Sequence, residues 1–339
     1  MAKTLLSNND VLNILGLPAD TLTALATAEG DDYSAKANEF LSAIVNKIVY
    51  QKVYKMTFKN PFAKFEGFKV EYGDTIENIF TEMPEGYTYD KDATDPFAIK
   101  VSGVKALYAT INFEMQYQVT IYRQLLKRAV LREGGLMSII DHMLSNIATK
   151  RDMDEYQATV YMLNNEDLYA NGFEELDVSE LSTDQEVAKA IAKKIVTVAH
   201  DMQLPAKDNN ALKVMNATRK DGVVLVIKQS VLDDVNLDFL TGVFNLEKVD
   251  MIKPENIITV RSFQVVKPGV DDAHATVVGE DIDFVLLDED GFDIHSALQE
   301  SGSIYNPKGK YTNHFTDNWK IISYKYFYNA RAFKIVSGD

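Results

Sequence analysis

Cysteine is absent from the 339-residue chain. That excludes disulfides, thiolate metal sites and thiol nucleophiles, so the fold must stand on its core alone. A chain of this length can bury such a core unaided. Long apolar runs are also missing. Nothing approaches the roughly 20 residues that a membrane-spanning helix needs, and "MAKTLLSNND" breaks too early for a secretory leader. A soluble, cytoplasmic chain with no membrane partner is expected. Positive charge is scarce, with 35 Lys and Arg against 50 Asp and Glu, a net of −15. The densest basic stretch, "YRQLLKRAVLRE" at 122–133, reads as a solvated helix face. That argues against a nucleic-acid reader, which needs a basic footprint.

The signatures of catalysis are missing too. The chain holds no Gly-rich phosphate loop, GxSxG elbow or HExxH pair. Its five histidines, at 142, 200, 274, 295 and 314, have no ligand spacing. The stretch "LLDEDGFDIHSA" has the look of a calcium loop. Placing Asp288, Asp290 and Gly291 at the third, fifth and sixth positions, however, leaves Leu286 first and Ala297 last, where charge matters most. It reads instead as a D-G hairpin turn. Acidic pairs such as Asp233–Asp234 carry no information in so acidic a chain. No catalytic, cofactor-binding or metal-binding residue is expected, and no cofactor.

What is present is a sequence of recognisable elements. Residues 8–56 read as helical, handing over to a strand between Val49 and Phe58. Residues 60–115 hold ten aromatics among Gly and Pro breakers. Strand-like runs lie at both ends, "FEGFKVEYG" and "KALYATINFEMQYQVTI". Exposed aromatics are costly unless covered, so this excursion reads as an extended hairpin packing on a neighbouring chain. Leu136–Asn165 is free of Pro and Gly, which predicts a helix of about 45 Å. Its apolar face passes from Leu136, Ile140, Met143 and Ile147 to Met153, Tyr156, Val160 and Leu163. These sets lie off one meridian, which excludes a coiled coil.

An acidic loop is expected at 171–182. Thr183 with Glu186 forms a capping box, and Val187, Ile191, Ile195, Val198 and Met202 make one stripe of a helix that stops before Pro205. Val223–Ile227 reads as a buried strand, followed by a helix capped by Ser230. "NIITVRSF" and "DFVLLDEDGFDI" are further strands, so 183–300 forms an α/β unit. In the tail, Ile322, Tyr324, Tyr326 and Tyr328 share one strand face, and Trp319, Ile321, Phe327, Phe333 and Ile335 the other. A strand apolar on both faces belongs inside a covered sheet, so the tail is expected to be a core strand pair reaching the long helix.

Six segments, in order, resemble a known family: "NEFLSAIVNKIVYQKVYKMTFKNPFAKF", "GDTIENIFTEM", "DEYQATVYMLNN", "LVIKQSVLDDVNLDFLTGVFN", "VLLDEDGFDI" and "YNPKGKYTNHFTDNWKIISYKYFYNARAFKIVSGD". From about residue 38 onward the chain is similar to the major capsid proteins of phi-29-type short-tailed phages. The resemblance implies an α+β, HK-97-like phage capsid fold. Its parts would be an N-terminal arm (1–55), an E-loop (56–121), a peripheral domain with a long spine helix (122–180 and 301–339) and an axial domain (181–300). It implies a viral structural protein of the virion. Such a subunit self-assembles in the host cytoplasm, as hexamers and pentamers, into an icosahedral or prolate head enclosing double-stranded DNA. Scaffolding protein and portal would be its partners. The subunit interface would include Phe80, Tyr87, Tyr89 and Phe97. Phi-29-type proteins add an immunoglobulin-like domain beyond this region, and no role of that domain is carried over. Two other readings stay open: an encapsulin-type compartment shell, and a soluble α/β enzyme with a site between 122–180 and 181–300.

Overall fold

The runs Val223–Ile227 and Phe284–Leu287 have no polar face, so each needs a sheet covered on both sides. A computed structural model provides that setting. It describes residues 12, 18, 20–21, 24, 27, 58–71, 75–84, 86, 102–122, 135–181, 183–235, 252, 254–266 and 277–336. For 135–145, Asp234 and Pro254 it describes the backbone only. Apart from residues 12, 18, 20–21, 24 and 27, and from Tyr122, which ends a strand, the expected helices of 8–56 and 122–133 fall outside this set.

In chain order the strands are β1 (Ile76–Thr81), β2 (Val104–Ala109), β3 (Phe113–Tyr122), β4 (Phe173–Asp177), β5 (Val223–Lys228) and β6 (Ile257–Val260). They continue with β7 (Val265–Val266), β8 (Val277–Val278), β9 (Phe284–Asp288), β10 (Phe292–Asn306), β11 (Tyr311–Tyr324) and β12 (Ala330–Val336). The helices are α1 (Gly135–Leu163), α2 (Asp184–Gln203) and α3 (Gln229–Val235). Two larger sheets result, one ordered β4-β12-β9-β5-β6 and one ordered β10-β11-β3.

The first sheet is filled from both sides. Val223, Leu225, Ile227, Phe284, Leu286 and Phe333 meet α2 through Ile191, Ile195, Val198 and Met202. From the opposite face Val224, Val226, Val285 and Leu287 meet Val160 and Leu163 of α1, together with Phe292, Ile322 and Tyr324. α2 forms as its sequence dictates. Thr183 accepts a hydrogen bond from the Glu186 amide, Asp184 and Glu186 occupy the positive end of the helix, and the helix closes at Leu204.

Several sequence expectations about individual elements need correction. The tail is two strands in different sheets: β11 ends at Tyr324, a turn follows, and β12 inserts between β4 and β9. Tyr326 and Tyr328 lie in that turn. β9 and β10 are likewise no hairpin, since β9 pairs with β5 and β12 while β10 pairs with β11. Between them Glu289–Gly291 makes one 3-10 turn capped by Asp288. A Cβ at Gly291 would stand 2.2 Å from the Tyr324 ring, so only glycine lets the chain cross there. The acidic stretch 171–182 is not all loop, because β4 pairs in parallel with β12. α3 starts at Gln229, which puts Ser230 inside the helix rather than at its cap. The 300/301 boundary falls within β10, and β12 joins strands of the 181–300 segment.

Candidate subunit interface

The aromatic excursion does contain a hairpin. β1 and β2 pair antiparallel from Ile76↔Ala109 to Thr81↔Val104. The strand begins at Ile76, beyond the "FEGFKVEYG" run, because "IENIFT" alternates and its partner "VKALYA" alternates in register. Alternation gives the ladder two faces. The inner face rests on the chain's own body. Ile76 joins Val70, Ala109 and Ile321 in a small cluster. Asn78 Nδ2 donates to Asp293 Oδ2 at 2.8 Å. The Phe80 ring lies 5.3 Å from that of Phe327, and Lys105 Nζ donates to the Leu212 carbonyl at 3.1 Å.

The outer face carries Glu77, Ile79 and Thr81 opposite Tyr108, Ala106 and Val104. Ile79, Val104 and Tyr108 are 59%, 64% and 67% exposed, and Met83 beyond the ladder is 67% exposed. Tyr108 Oη donates to Glu77 Oε1 at 2.8 Å, which fixes the ring on this surface. A two-stranded ribbon with one seated face and exposed Ile79, Val104 and Tyr108 on the other is incompletely covered. Of the four expected interface residues, Phe80 is on the inner face, against its own Phe327. Tyr87, Tyr89 and Phe97 lie outside the described residues. Sequence reading missed Ile79, Val104 and Tyr108, whose signal was the period-two alternation of the two runs.

Below the hairpin the second sheet meets α1 through a polar layer. Glu155, 6% exposed, accepts from Asn318 Nδ2 at 2.8 Å and from Lys320 Nζ at 3.0 Å. Lys320 also lies 3.0 Å from Glu66 Oε2. Asp152, Asp154 and Glu155 are all buried on α1, while Met153, expected in its apolar face, is largely exposed. Removing one member of such a pair strands a charge in the interior. Lys320→Met is expected to lower stability by about 3–5 kcal/mol in urea denaturation, and adding Glu155→Leu should restore much of that loss.

Two buried groups oppose each other in acid. His314, with no hydrogen-bond partner on either ring nitrogen, is held neutral by burial, its pKa lowered to about 4. The unfolded chain takes up a proton near the ordinary histidine value, so His314 costs stability as pH falls through that value towards about 4. Burial also raises Asp288 to about 6 from 3.8, against the opposing hydrogen bonds of Thr218 and the Asp290 amide. Ionised Asp288 therefore costs stability that returns as pH falls through about 6. Each gap is worth on the order of 3 kcal/mol. Asp288→Asn should raise stability at about pH 8 and leave it near the wild-type value at about pH 4, so that stability falls more steeply on acidification. His314→Phe should reduce acid lability. Denaturation midpoints across pH read both effects.

The comparisons with known proteins converge. The model of the family described as "Phi29-like phage major capsid protein" matches residues 18–334. The major capsid protein of Bacillus phage B103 is 28% identical over 307 residues, covering 89% of this chain. That alignment spans 64% of the B103 protein, a little under two thirds of its length. The major capsid protein of Bacillus phage PZA is 24% identical over 360 residues, covering 98% of this chain and 76% of the PZA protein. Among solved structures, the capsid of Staphylococcus phage Andhra matches with a TM-score of 0.62 at 9% identity, covering 84% of this chain and 88% of that one. The mature capsid of bacteriophage PhiM1 matches with a TM-score of 0.58 at 9% identity, covering 85% and 91%. At that identity the likeness is one of fold, and the fold is the α+β, HK97-like fold of phage capsids. With a family match that runs through the hairpin, the long helix and both sheets, the chain belongs to the Phi29-like phage major capsid protein family.

Proposed function

We propose that copies of this chain self-assemble into the head shell of a tailed double-stranded DNA phage, and that the β1–β2 hairpin joins one copy to the next. The observation that carries this reading is the outward face of the ribbon, where Ile79, Val104 and Tyr108 stand exposed while the other face is seated on the chain's own body. A second copy is the partner that family membership supplies. Repeating one such heterologous contact closes into rings and then a shell. Tyr87, Tyr89 and Phe97, on the segment joining β1 to β2, extend the same contact, while Phe80 steadies the ribbon from beneath. The role is structural, with no chemical step.

In this reading residues 1–55 are the N-terminal arm and 56–121 the E-loop, with β3 as its root. α1 is the spine of the peripheral domain formed by 122–180 and the 301–324 part of the tail. The axial domain of 181–300 takes β12 into its sheet. Scaffolding protein and portal are partners during assembly in the host cytoplasm, and DNA is enclosed without sequence reading. A net charge of −15 makes free copies repel, so added salt should promote assembly. Sedimentation and electron microscopy of the expressed chain, alone and with a co-expressed scaffolding protein, test the proposal. Closed particles of uniform size are expected. A monomer under both conditions would refute it.

A further inference from the structure

Two acceptors face the ring nitrogens of His295. The residue is 6% exposed, between β10 and segment 66–70. Its Nδ1 lies 2.9 Å from the Phe68 carbonyl oxygen, and its Nε2 lies 3.1 Å from Asp293 Oδ1. A backbone carbonyl can only accept. The Asp293 carboxylate is also a receiver: Asn78 donates to Oδ2 at 2.8 Å, Ser323 Oγ stands 3.4 Å from the same oxygen, and the Lys325 ammonium lies 3.8 Å from Oδ1. A neutral imidazole has one N–H and one lone pair, so it can serve only one of two acceptors. The imidazolium serves both.

Both acceptors belong to parts that must be held in place. Segment 66–70 lies along β10 through the Gly67 amide to the Ile294 carbonyl at 2.8 Å and the Val70 amide to the Ser296 carbonyl at 2.9 Å. The Phe68 ring sits 4.2 Å from the imidazole. A Cβ at Gly67 would stand 2.5 Å from His295 Cε1, so the segment passes too close for a larger residue. Through Asn78, Asp293 holds β1 as well. We propose that His295 and Asp293 form a protonation-dependent clasp that fastens segment 66–70 and the root of the β1–β2 hairpin to β10. The clasp is closed while the imidazole carries both protons and opens when it loses one.

The charges around the ring come from each neighbouring element. Asp293 is on β10, Lys325 is on the turn after β11, and Glu66 is on the segment itself, paired with Lys320 of β11. Lys69 and Glu71 are exposed. With the ring neutral, one nitrogen presents a lone pair to an oxygen, and either the Phe68 or the Asp293 contact is lost. Clasp stability is therefore present at low pH and lost as pH rises.

Hydrogen–deuterium exchange of the full-length subunit tests this without reference to shell formation. After correction for intrinsic exchange, protection of peptides covering 66–81 should fall on the order of tenfold between about pH 5.5 and about pH 8, with α2 unchanged. His295→Phe should leave 66–81 unprotected throughout. Asp293→Asn can donate to the lone pair of a neutral ring, so it should keep 66–81 protected at the higher pH. Nitrogen-15 histidine spectra should show both His295 nitrogens protonated at the lower pH. Protection that does not change with pH in the wild type would overturn the clasp. So would an Asp293→Asn variant that behaves like His295→Phe.

Discussion

Truncation after Asn329, which removes β12 and the three residues after it, is expected to abolish cooperative unfolding and leave an aggregating chain, read by circular dichroism and size-exclusion chromatography. β12 lies between β4 and β9, pairing with Phe173–Asp177 on one side and Phe284–Leu287 on the other. Its removal would break the sheet into β4 alone and β9-β5-β6, each with an unpaired edge. It would also strip Ala330, Ala332 and Phe333 from the two cores, which bury them completely. Phe333 stacks on Phe284 at 4.9 Å and meets α2. Losing that ring alone costs about 3–5 kcal/mol, against a total stability of about 5–15 kcal/mol for a typical domain. The whole strand therefore exceeds what the fold can lose.

The second large effect is on assembly. Replacing Ile79, Val104 and Tyr108 together by Glu, Lys and Glu should leave the subunit folded and monodisperse, because all three side chains point to solvent in the isolated chain. Particle yield should fall below detection. Buried apolar and aromatic anchors dominate interface energies, and a shell repeats the loss at every contact. A control at Thr81, polar on the same face, should assemble normally. If the triple variant forms shells at wild-type yield, the outer face of the hairpin is not a subunit contact.

How much of this was legible in the sequence follows from which signals are local. α2 was readable in full, since its cap, its stripe and its stop at Pro205 lie within one stretch. β5 was readable as a buried strand from its unbroken apolar run, and β9 as a strand, though its run was taken into a hairpin that does not form. The extent of α1 followed from the lack of breakers, but its buried face did not. Glu155 points inward to Lys320 and Asn318, more than 160 residues away, and no window reveals that pairing. The same distance hid the tail. Aromatic alternation from Trp319 to Ile335 reads as a strand pair in one covered sheet, because nothing local says that Tyr324 ends in one sheet and Ala330 begins in another. At the candidate interface, aromatic content drew attention to Phe80. Which face of the ribbon points outward was set by Asp293, Leu212 and Phe327, all remote in sequence.

In the proposed shell, one copy's hairpin holds the next copy by its outer face. Cryo-electron microscopy of assembled particles at side-chain resolution tests it most directly. Ile79, Val104 and Tyr108 are expected to be buried against an adjacent subunit in every copy, with Phe80 still on its own Phe327. Particles in which those three side chains face solvent would contradict it.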